Sequence, residues 1–476
     1  MTQTISPLVA SVIQKYNLDI SIVETKFLEE SNRIDAEYYK PEFLIPRREW
    51  LEFAPIGNFL TRCEYGLSLA MNEEWIWEKI FRMNDLVNGV AINDDLKFVD
   101  IDKIDFEKYR VKKNDILFNR VNSIDFVGRT GIFKSTKEDS VFASYLVRVN
   151  VDESRIKPDY LNLFLNSKFW KKEILRKARR AVNQANVNAE ELKRINIPIL
   201  PYPFQEKLET LSEESFKYLE VSKSLYSEAE QILLRELDLI DWQPSKKNIA
   251  EKMSAEVELF GRCDAEFFQP KYDAIIEKIK NYKWWYGTIE NLISIAWKQM
   301  KIEADKEYQY CELADIDPSL WMVGNFTKIV WTDLPSRARM KIEKWDVVVS
   351  SVAGSCEKVA LIQGEDTNLV ASTGFFILKP KNFNPETNLI LMKSFFMKMF
   401  LERSARGMIL SATNQEDFKN IIIPNIPSVI QSLISEKINA SHLACEASKK
   451  LLEKAKRAVE IFIEEDEEIA KLSLNQ

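Results

Sequence analysis

The sequence predicts an α+β fold: two tandem repeated domains of mixed α and β structure, each followed by a long α-helix, with the two helices packing as an antiparallel coiled coil. Three observations carry this expectation. A short motif occurs twice at an offset of 229 residues, a longer segment recurs at an offset of 226, and each copy ends in a long stretch rich in Glu, Lys, Leu, Ala and Ser without internal Gly. Ordered matches at a nearly constant offset are the signature of an internal duplication.

Residues 1–32 are expected to form an N-terminal extension. Residues 33–43, RIDAEYYKPEF, open a first domain at 33–202, and 262–272, RCDAEFFQPKY, lie near the start of a second at 251–427. Between these anchors, VKKNDILFNRVNS (111–123) matches IEKWDVVVSSVAG (342–354) and superimposes Asp115 on Asp346. Short β-branched and aromatic runs such as DILFNRV, SYLVRV, DVVVSSV and TGFFILKP read as strands, and PDYLNLFLNSKFWKKEILRKA as helix. The recurring segment is ANVNAEELKRINIPILP (185–201) and SATNQEDFKNIIIPNIP (411–427), identical at seven of 17 positions. Each copy leads into a predicted long helix, at 203–250 with its linker and at 428–476 with an acidic tail. A helix of 35 residues spans roughly 50 Å.

The helices carry an apolar seam at spacings of three and four, the coiled-coil pattern. In the first it runs through Leu208, Leu211, Ser215, Tyr218, Ser222, Leu225, Ala229 and Ile232. In the second it runs through Ile434, Lys437, Ser441, Ala444, Ser448, Leu451, Ala455 and Ala458. Small residues at matching places, Ser215 with Ser441 and Ser222 with Ser448, allow close backbone approach. The competing reading is that each helix covers its own domain.

Composition bounds the chemistry. The 476 residues carry 66 Lys+Arg against 73 Asp+Glu, a net charge of −7, and 46% hydrophobic residues. That balance is ordinary for a globular chain. Apolar runs fall short of a membrane span, the N-terminus reads as no signal peptide, and five cysteines without CxxC spacing fit a reducing cytoplasm. A single histidine, His442, excludes a histidine-dependent triad and a multi-histidine zinc site, and is expected on a helix surface. With 12 glycines and no GxGxxG or GxxxxGK, a glycine-rich nucleotide turn is not expected. No metal site is expected.

The positive charge is concentrated. NSKFWKKEILRKARRAV (166–182) holds seven basic residues and one acid, and KSFFMKMFLERSAR (393–406) four and one. On a continuous helix Lys172, Arg176, Arg179 and Arg180 share one face. Each stretch precedes a polar loop whose amides and hydroxyls suit base edges or phosphates. The first loop offers Asn183, Gln184 and Asn186; the second offers Thr413, Asn414 and Gln415, with Arg403 and Arg406 before it. A further polar surface follows the central strands, with Asn119, Arg120, Asn122 and Ser123 in one copy and Ser350, Ser351 and Ser355 in the other. Arg82 and Asn84 add a third cluster. For any one of these the bland alternative is a solvated helix face or an ordinary turn.

Taken together, RIDAEYYKPEF, RCDAEFFQPKY and the segments 188–201 and 414–427 running into long helices resemble the specificity subunit of type I restriction–modification systems, over nearly the whole chain. The resemblance implies two target recognition domains, each reading one half of a split, asymmetric target in double-stranded DNA. It implies helices that fix the gap between the halves and dock two DNA methyltransferase subunits, which would supply S-adenosylmethionine binding, with restriction or translocase subunits as further partners. It also implies that this chain has no catalysis and no cofactor of its own. A related defence system on the same architecture, or a protein–protein scaffold with duplicated binding domains, stays open.

Overall fold

The computed structural model describes residues 50–72, 77–93, 96–124, 126–177, 179–181, 184–244, 249–297, 299–317, 322–323, 326–363, 368–406 and 411–475. The motif RIDAEYYKPEF and the extension before it lie outside the described residues. The chain folds into two compact units, Met1–Tyr218 with Ala447–Gln476, and Leu219–Glu446.

In the first unit a six-stranded sheet runs in the order Leu60–Tyr65, Leu146–Val151, Ile116–Asn119, Thr130–Ile132, Gly89–Ala91, Leu86–Val87. In the second, Ser294–Ala296, Phe375–Lys379, Val347–Ser350, Val359–Leu361, Met322–Val323 and Ile316–Asp317 follow the same order. The duplication is therefore present in the topology. The runs DILF and DVVV supply the central strands, and every residue of Ile116–Asn119 and of Val347–Ser350 is buried. Strands covered on both faces read as continuous apolar runs rather than alternations.

A second sheet of four strands shares three of them between the units: Ser140–Phe142, Glu78–Phe81 and Lys97–Val99 match Leu369–Ser372, Glu307–Cys311 and Thr327–Val330. The fourth strand lies on opposite edges, Met71–Asn72 beside Lys97–Val99 but Ala338–Lys341 beside Leu369–Ser372.

The isoleucine–proline segments form edge strands. Asn196–Pro198 pairs with Phe53–Pro55, and Ile422–Pro424 with Tyr286–Thr288. An edge position tolerates proline because no ladder donor is needed there. Each then turns into a long helix, Tyr202–Glu236 and Ser428–Glu464.

The helices pack antiparallel within each unit. In the first unit Phe204 meets Phe462 with ring centroids 5.1 Å apart, and the Ser215 hydroxyl donates to the Ser448 carbonyl at 2.9 Å. In the second, the Ser222 and Ser441 hydroxyls each donate to the other's backbone carbonyl, at 2.8 and 2.7 Å, and Lys437 pairs with Glu228 at 2.7 Å. Ser215 thus faces Ser448 and Ser222 faces Ser441, each serine meeting the repeat counterpart of the other.

The seam keeps Leu208, Ser215, Ser222 and Ala229 of the expected one, and its alternate positions move by one residue, from Leu211, Tyr218 and Ile232 to Ser212, Leu219 and Leu233. Its buried positions on the first helix are Phe204, Leu208, Ser212, Ser215, Leu219, Ser222, Ala229 and Leu233. Tyr218 is exposed, and Leu211, Leu225 and Ile232 are half-buried flanks. On the second helix Ala444, Ala455 and Ala458 are buried as expected, with Leu451 half-buried. The acidic run is not a loose tail. Asp466 caps a further helix, Glu467–Asn475, through the Ile469 amide at 2.8 Å, and Ala470 is buried in the first unit's core. His442 is buried rather than on a surface, and its Nδ1 bonds the Gln363 amide.

Among the described residues no helix is long and apolar enough to cross a membrane.

Candidate nucleic-acid interface

In the first unit the basic helix ends sooner than its sequence suggests. It spans Lys168–Lys177, and Arg179 and Arg180 lie in a strand, Arg179–Ala181, registered on Asn186 and Ala185. The expected single face of Lys172, Arg176, Arg179 and Arg180 is therefore split between a helix and a strand. Nothing local in KARRA stops a helix; the pairing does, since tertiary context overrides weak propensity. The returning strand, Gln184–Asn186, pairs in turn with Val121–Asn122. Asn183 and the side chains of Arg176, Arg179, Arg180 and Gln184 lie outside the described residues. Lys172 is half-buried and Asn186 exposed.

This pairing joins clusters far apart in sequence. The Arg120 amide donates to the Tyr145 carbonyl at 3.1 Å and its carbonyl accepts from Val187 at 2.9 Å. The Arg120 guanidinium lies 4.8 Å from the centre of the Tyr65 ring, and its Nε donates to the Ser144 carbonyl. Tyr65 in turn accepts from the Ala189 amide through its hydroxyl, so the ring and the arginine on it are held from both sides. The Asn122 amide reaches the Met83 sulfur at 3.0 Å, which brings in the turn Met83–Asp85. There Arg82 forks onto Asp85, Nη2 to Oδ1 at 2.9 Å and Nε to Oδ2 at 3.2 Å, while Asn84 is exposed. Tyr145 lies close by; burial pushes its phenol up, and Arg82 opposes that shift. The basic helix is pinned beside the patch where the Trp170 indole donates to the Gly128 carbonyl at 2.8 Å. Gly128 has φ +83°, and a Cβ there would stand 2.7 Å from Ile174, so only glycine lets the loop and the helix meet.

The second unit builds the same scaffold. Ser351 takes the place of Arg120: its amide donates to Gly374 and its carbonyl accepts from Thr413 at 2.8 Å. Val352 and Arg406 both bridge to Ala412, so single bridges stand where the first unit has three short strands. The turn Leu313–Asp315 repeats Met83–Asp85, and the Glu312 amide donates to Asp315 Oδ2 at 2.8 Å as the Arg82 amide does to Asp85 at 2.6 Å.

Several expected contacts turn inward. Asn119 and Ser350 are fully buried and Thr413 nearly so; the Asn119 amide donates to Phe126, and the Thr413 hydroxyl to Leu401. They hold loops. Asn414 is exposed but caps the helix Gln415–Lys419 through the Asp417 amide at 2.7 Å, as Asn188 caps Ala189–Lys193 through Glu191. Gln415 is exposed in the first turn. Arg406 is forked on Asp417 at 2.7 and 3.0 Å. Arg403 is structural: its Nε donates to the Phe267 carbonyl, its guanidinium lies over the Phe267 ring at 4.2 Å, and burial pulls its pKa down. Asn-x-x-Glu at 188–191 and Asn-x-x-Asp at 414–417 are capping patterns visible in the sequence that the reading for base contacts passed over.

The motif RCDAEFF has a structural task. Arg262 forks onto Asp264 at 2.8 and 3.0 Å and donates to the Arg403 and Ala405 carbonyls at 3.2 and 3.3 Å. It thereby caps the C-terminus of the helix Phe395–Ser404, whose last carbonyls would otherwise lack donors.

Residues 71–212 match the family model described as the type I restriction modification DNA specificity domain. The chain is 29% identical over 189 residues to the putative type I restriction enzyme MjaX specificity subunit of Methanocaldococcus jannaschii, covering 39% of this chain and 43% of that protein. It is 22% identical over 181 residues to the EcoKI specificity subunit of Escherichia coli K12, covering 36% and 39%. The alignments thus span less than half of either relative. Among solved structures, the type I restriction–modification S subunit from M. genitalium aligns over 88% of this chain and 97% of its own at 13% identity, with a TM-score of 0.38. The matched segment, 71–212, contains the turn at Arg82, the loop at Arg120 and the hairpin at 179–186, so this part of the chain is similar to the DNA specificity domain of type I restriction specificity subunits.

Proposed function

We propose that this chain is the DNA-reading subunit of a type I restriction–modification complex, or of a defence complex built the same way, with each unit reading one half of a split, asymmetric duplex target. The observation that carries the reading is the recurrence of one scaffold in both units. A turn after a strand, a loop after a central strand and a hairpin after a helix converge on one patch, and that patch differs in side chains. Phosphate contacts from the hairpin and basic helix would position the duplex, and loop side chains would read base edges. Two methyltransferase subunits would dock on the chain and bring S-adenosylmethionine and the chemistry; restriction or translocase subunits would join them. The long helices, each roughly 50 Å by rise alone, would set the gap between half-sites. On this reading the chain is not itself an enzyme and acts in the cytoplasm.

The test is the methylation pattern of DNA from cells expressing the chain with a methyltransferase partner. A split motif is expected, with one half changing when the first unit's loops are replaced. No motif would refute the proposal. In vitro, replacing Arg176, Arg179 and Arg180 with Ala should weaken duplex binding and reduce the log–log salt slope by about 0.9 per lost phosphate contact. Unchanged binding would instead favour a protein scaffold.

A further inference from the structure

The two patches differ most where their scaffolds agree best. Arg82 and Glu312 occupy one place: each follows the matching strand of the four-stranded sheet, precedes a one-turn helix, and donates its amide to the aspartate that closes that turn. The backbone is the same and the side-chain charge is reversed.

Each unit nevertheless keeps an arginine–carboxylate pair there. In the first unit the guanidinium comes from Arg82 itself and the acid is Asp85. In the second the acid comes from Glu312, and the guanidinium is supplied by Arg337, whose Nη2 donates to Glu312 Oε2 at 2.6 Å; the Tyr310 hydroxyl reaches the same oxygen at 3.5 Å. Arg337 leads into Ala338–Lys341, the strand added on the edge that the first unit leaves without one. The edge strand that distinguishes the two sheets, standing where the first unit has the helix Lys103–Tyr109, thus delivers the arginine. The Arg337 side chain is 60% exposed and that of Arg82 is 23% exposed, so the cation stands further out in the second unit.

Arg337 belongs to the same patch as the hairpin. Its carbonyl accepts from Thr373 at 2.8 Å, Gly374 accepts from Ser351, and Ser351 accepts from Thr413 next to the Arg406 bridge. A guanidinium fixed from behind by a carboxylate loses less entropy on contact and presents its remaining N–H groups in a set direction.

Resting on the DNA-reading proposal above, we infer that Arg337, positioned by Glu312, is a specificity-determining residue of the second unit and counterpart to Arg82 positioned by Asp85 in the first. The chemistry that suits it is the acceptor pair on a guanine edge, which arginine meets bidentately. The altered origin of the cation moves the base pair that is read.

The experiment selects duplexes from a randomised DNA library with the full chain, alone and with its methyltransferase partner, for wild type, Arg337→Ala, Arg337→Lys, Glu312→Gln and Arg82→Ala. Wild type should enrich a split motif containing a guanine in each half. Arg337→Ala should reduce the preference at one base pair of one half from about ten- to a hundredfold to near unity and leave the other half intact. Arg337→Lys, a point charge without the fork, should keep affinity but lose most of that preference. Glu312→Gln should weaken preference at the same base pair, and Arg82→Ala should act in the opposite half. Wild-type enrichment with an unchanged motif in Arg337→Ala overturns the inference alone. An absence of any motif in the wild type overturns the DNA-reading proposal and this inference with it.

Discussion

The serine contact between the long helices in the second unit can be tested through a single side chain. Ser222 and Ser441 are both fully buried, their hydroxyls lie 3.1 Å apart, and each donates to the carbonyl of the other helix. Ser222→Ala removes one donor without adding volume, and the carbonyl it leaves keeps its own helical partner. The cost should be about 1 kcal/mol. Ser222→Leu removes the same donor and adds three heavy atoms where two backbones meet. Overpacking of that kind costs about 1–3 kcal/mol, so the total should reach about 2–4 kcal/mol. Urea titration of the full chain, followed by modification of the buried Cys445 thiol and read at that residue by peptide mass so that the other four cysteines do not contribute, reports opening at this contact. The expected order of midpoints is wild type, then alanine, then leucine. The double variant Ser222→Ala/Ser441→Ala should fall short of additivity, because the two hydroxyls share partners. Equal stability of Ser222→Leu and wild type would show that the helices do not approach at Ser222, and the register argued from these hydrogen bonds would be wrong.

Three further outcomes follow from single sites. Trp345 sits at φ +75° in a turn whose counterpart in the first unit carries Asn114 at φ +70°, and both amides donate across the turn at 2.8 Å. A left-handed conformation costs a bulky residue about 1–2 kcal/mol and suits asparagine, so Trp345→Asn should raise the urea midpoint; a lower midpoint would count against strain at this turn. Lys134 and Asp159 form a buried pair at 2.7 Å with almost no exposure on either side. Lys134→Met should cost about 3–5 kcal/mol by stranding the carboxylate, and Lys134→Met/Asp159→Leu should recover most of it; equal losses in both variants would contradict this. Glu343 is held down to about 2 by hydrogen bonds from Lys341 and Lys379. A depressed carboxylate contributes stability above its unfolded pKa of about 4.3, and that contribution is lost as pH falls from there to about 2. Glu343→Gln should therefore flatten acid destabilisation of the second unit in that window, and an unaltered acid titration would refute the pairing.

What the sequence disclosed followed from how local each signal is. The duplication was legible because its matches are collinear, and the central strands because residues buried on both faces leave continuous apolar runs. The long helices were legible in extent and in part of their seam, since Leu208, Ser215, Ser222 and Ala229 are buried where the spacing put them, but the alternate positions were read one residue early. Ser212 is a further core position, and a hydroxyl buried against a helix backbone looks like a surface residue in a hydrophobicity pattern. Tyr218 and Ile232 therefore drew the predicted stripe off the seam that Leu219 and Leu233 follow. The hairpin at 179–186 was not legible because its third strand, Val121–Asn122, lies some sixty residues upstream, beyond any local pattern. Arg337 was invisible for a related reason: it leads into an edge strand that the first unit lacks, and its partner, Glu312, follows a different strand 25 residues upstream.

The long helices also bear on how the repeat can be cut. The first unit's core draws Phe204 and Leu208 from the start of one helix and Ala455, Ala458, Val459, Phe462 and Ile463 from the end of the other. All seven are essentially excluded from solvent. Lys168, in the basic helix, pairs with Glu464, and the Lys168 amide donates to Glu460 at 2.9 Å, so the element that leads to the hairpin is anchored on the C-terminal part of the chain. A fragment ending near residue 202 would expose a large share of that apolar surface and lose the carboxylates that seat the basic helix. Stability per residue in a small domain is thin enough that such a loss unfolds it. If the chain reads DNA as proposed, moving target specificity should therefore succeed when the loops at 82–85, 119–123 and 179–188 are exchanged on an intact frame. It should fail when the repeat is excised at its sequence boundary, with loss of soluble folded protein rather than a changed motif as the outcome.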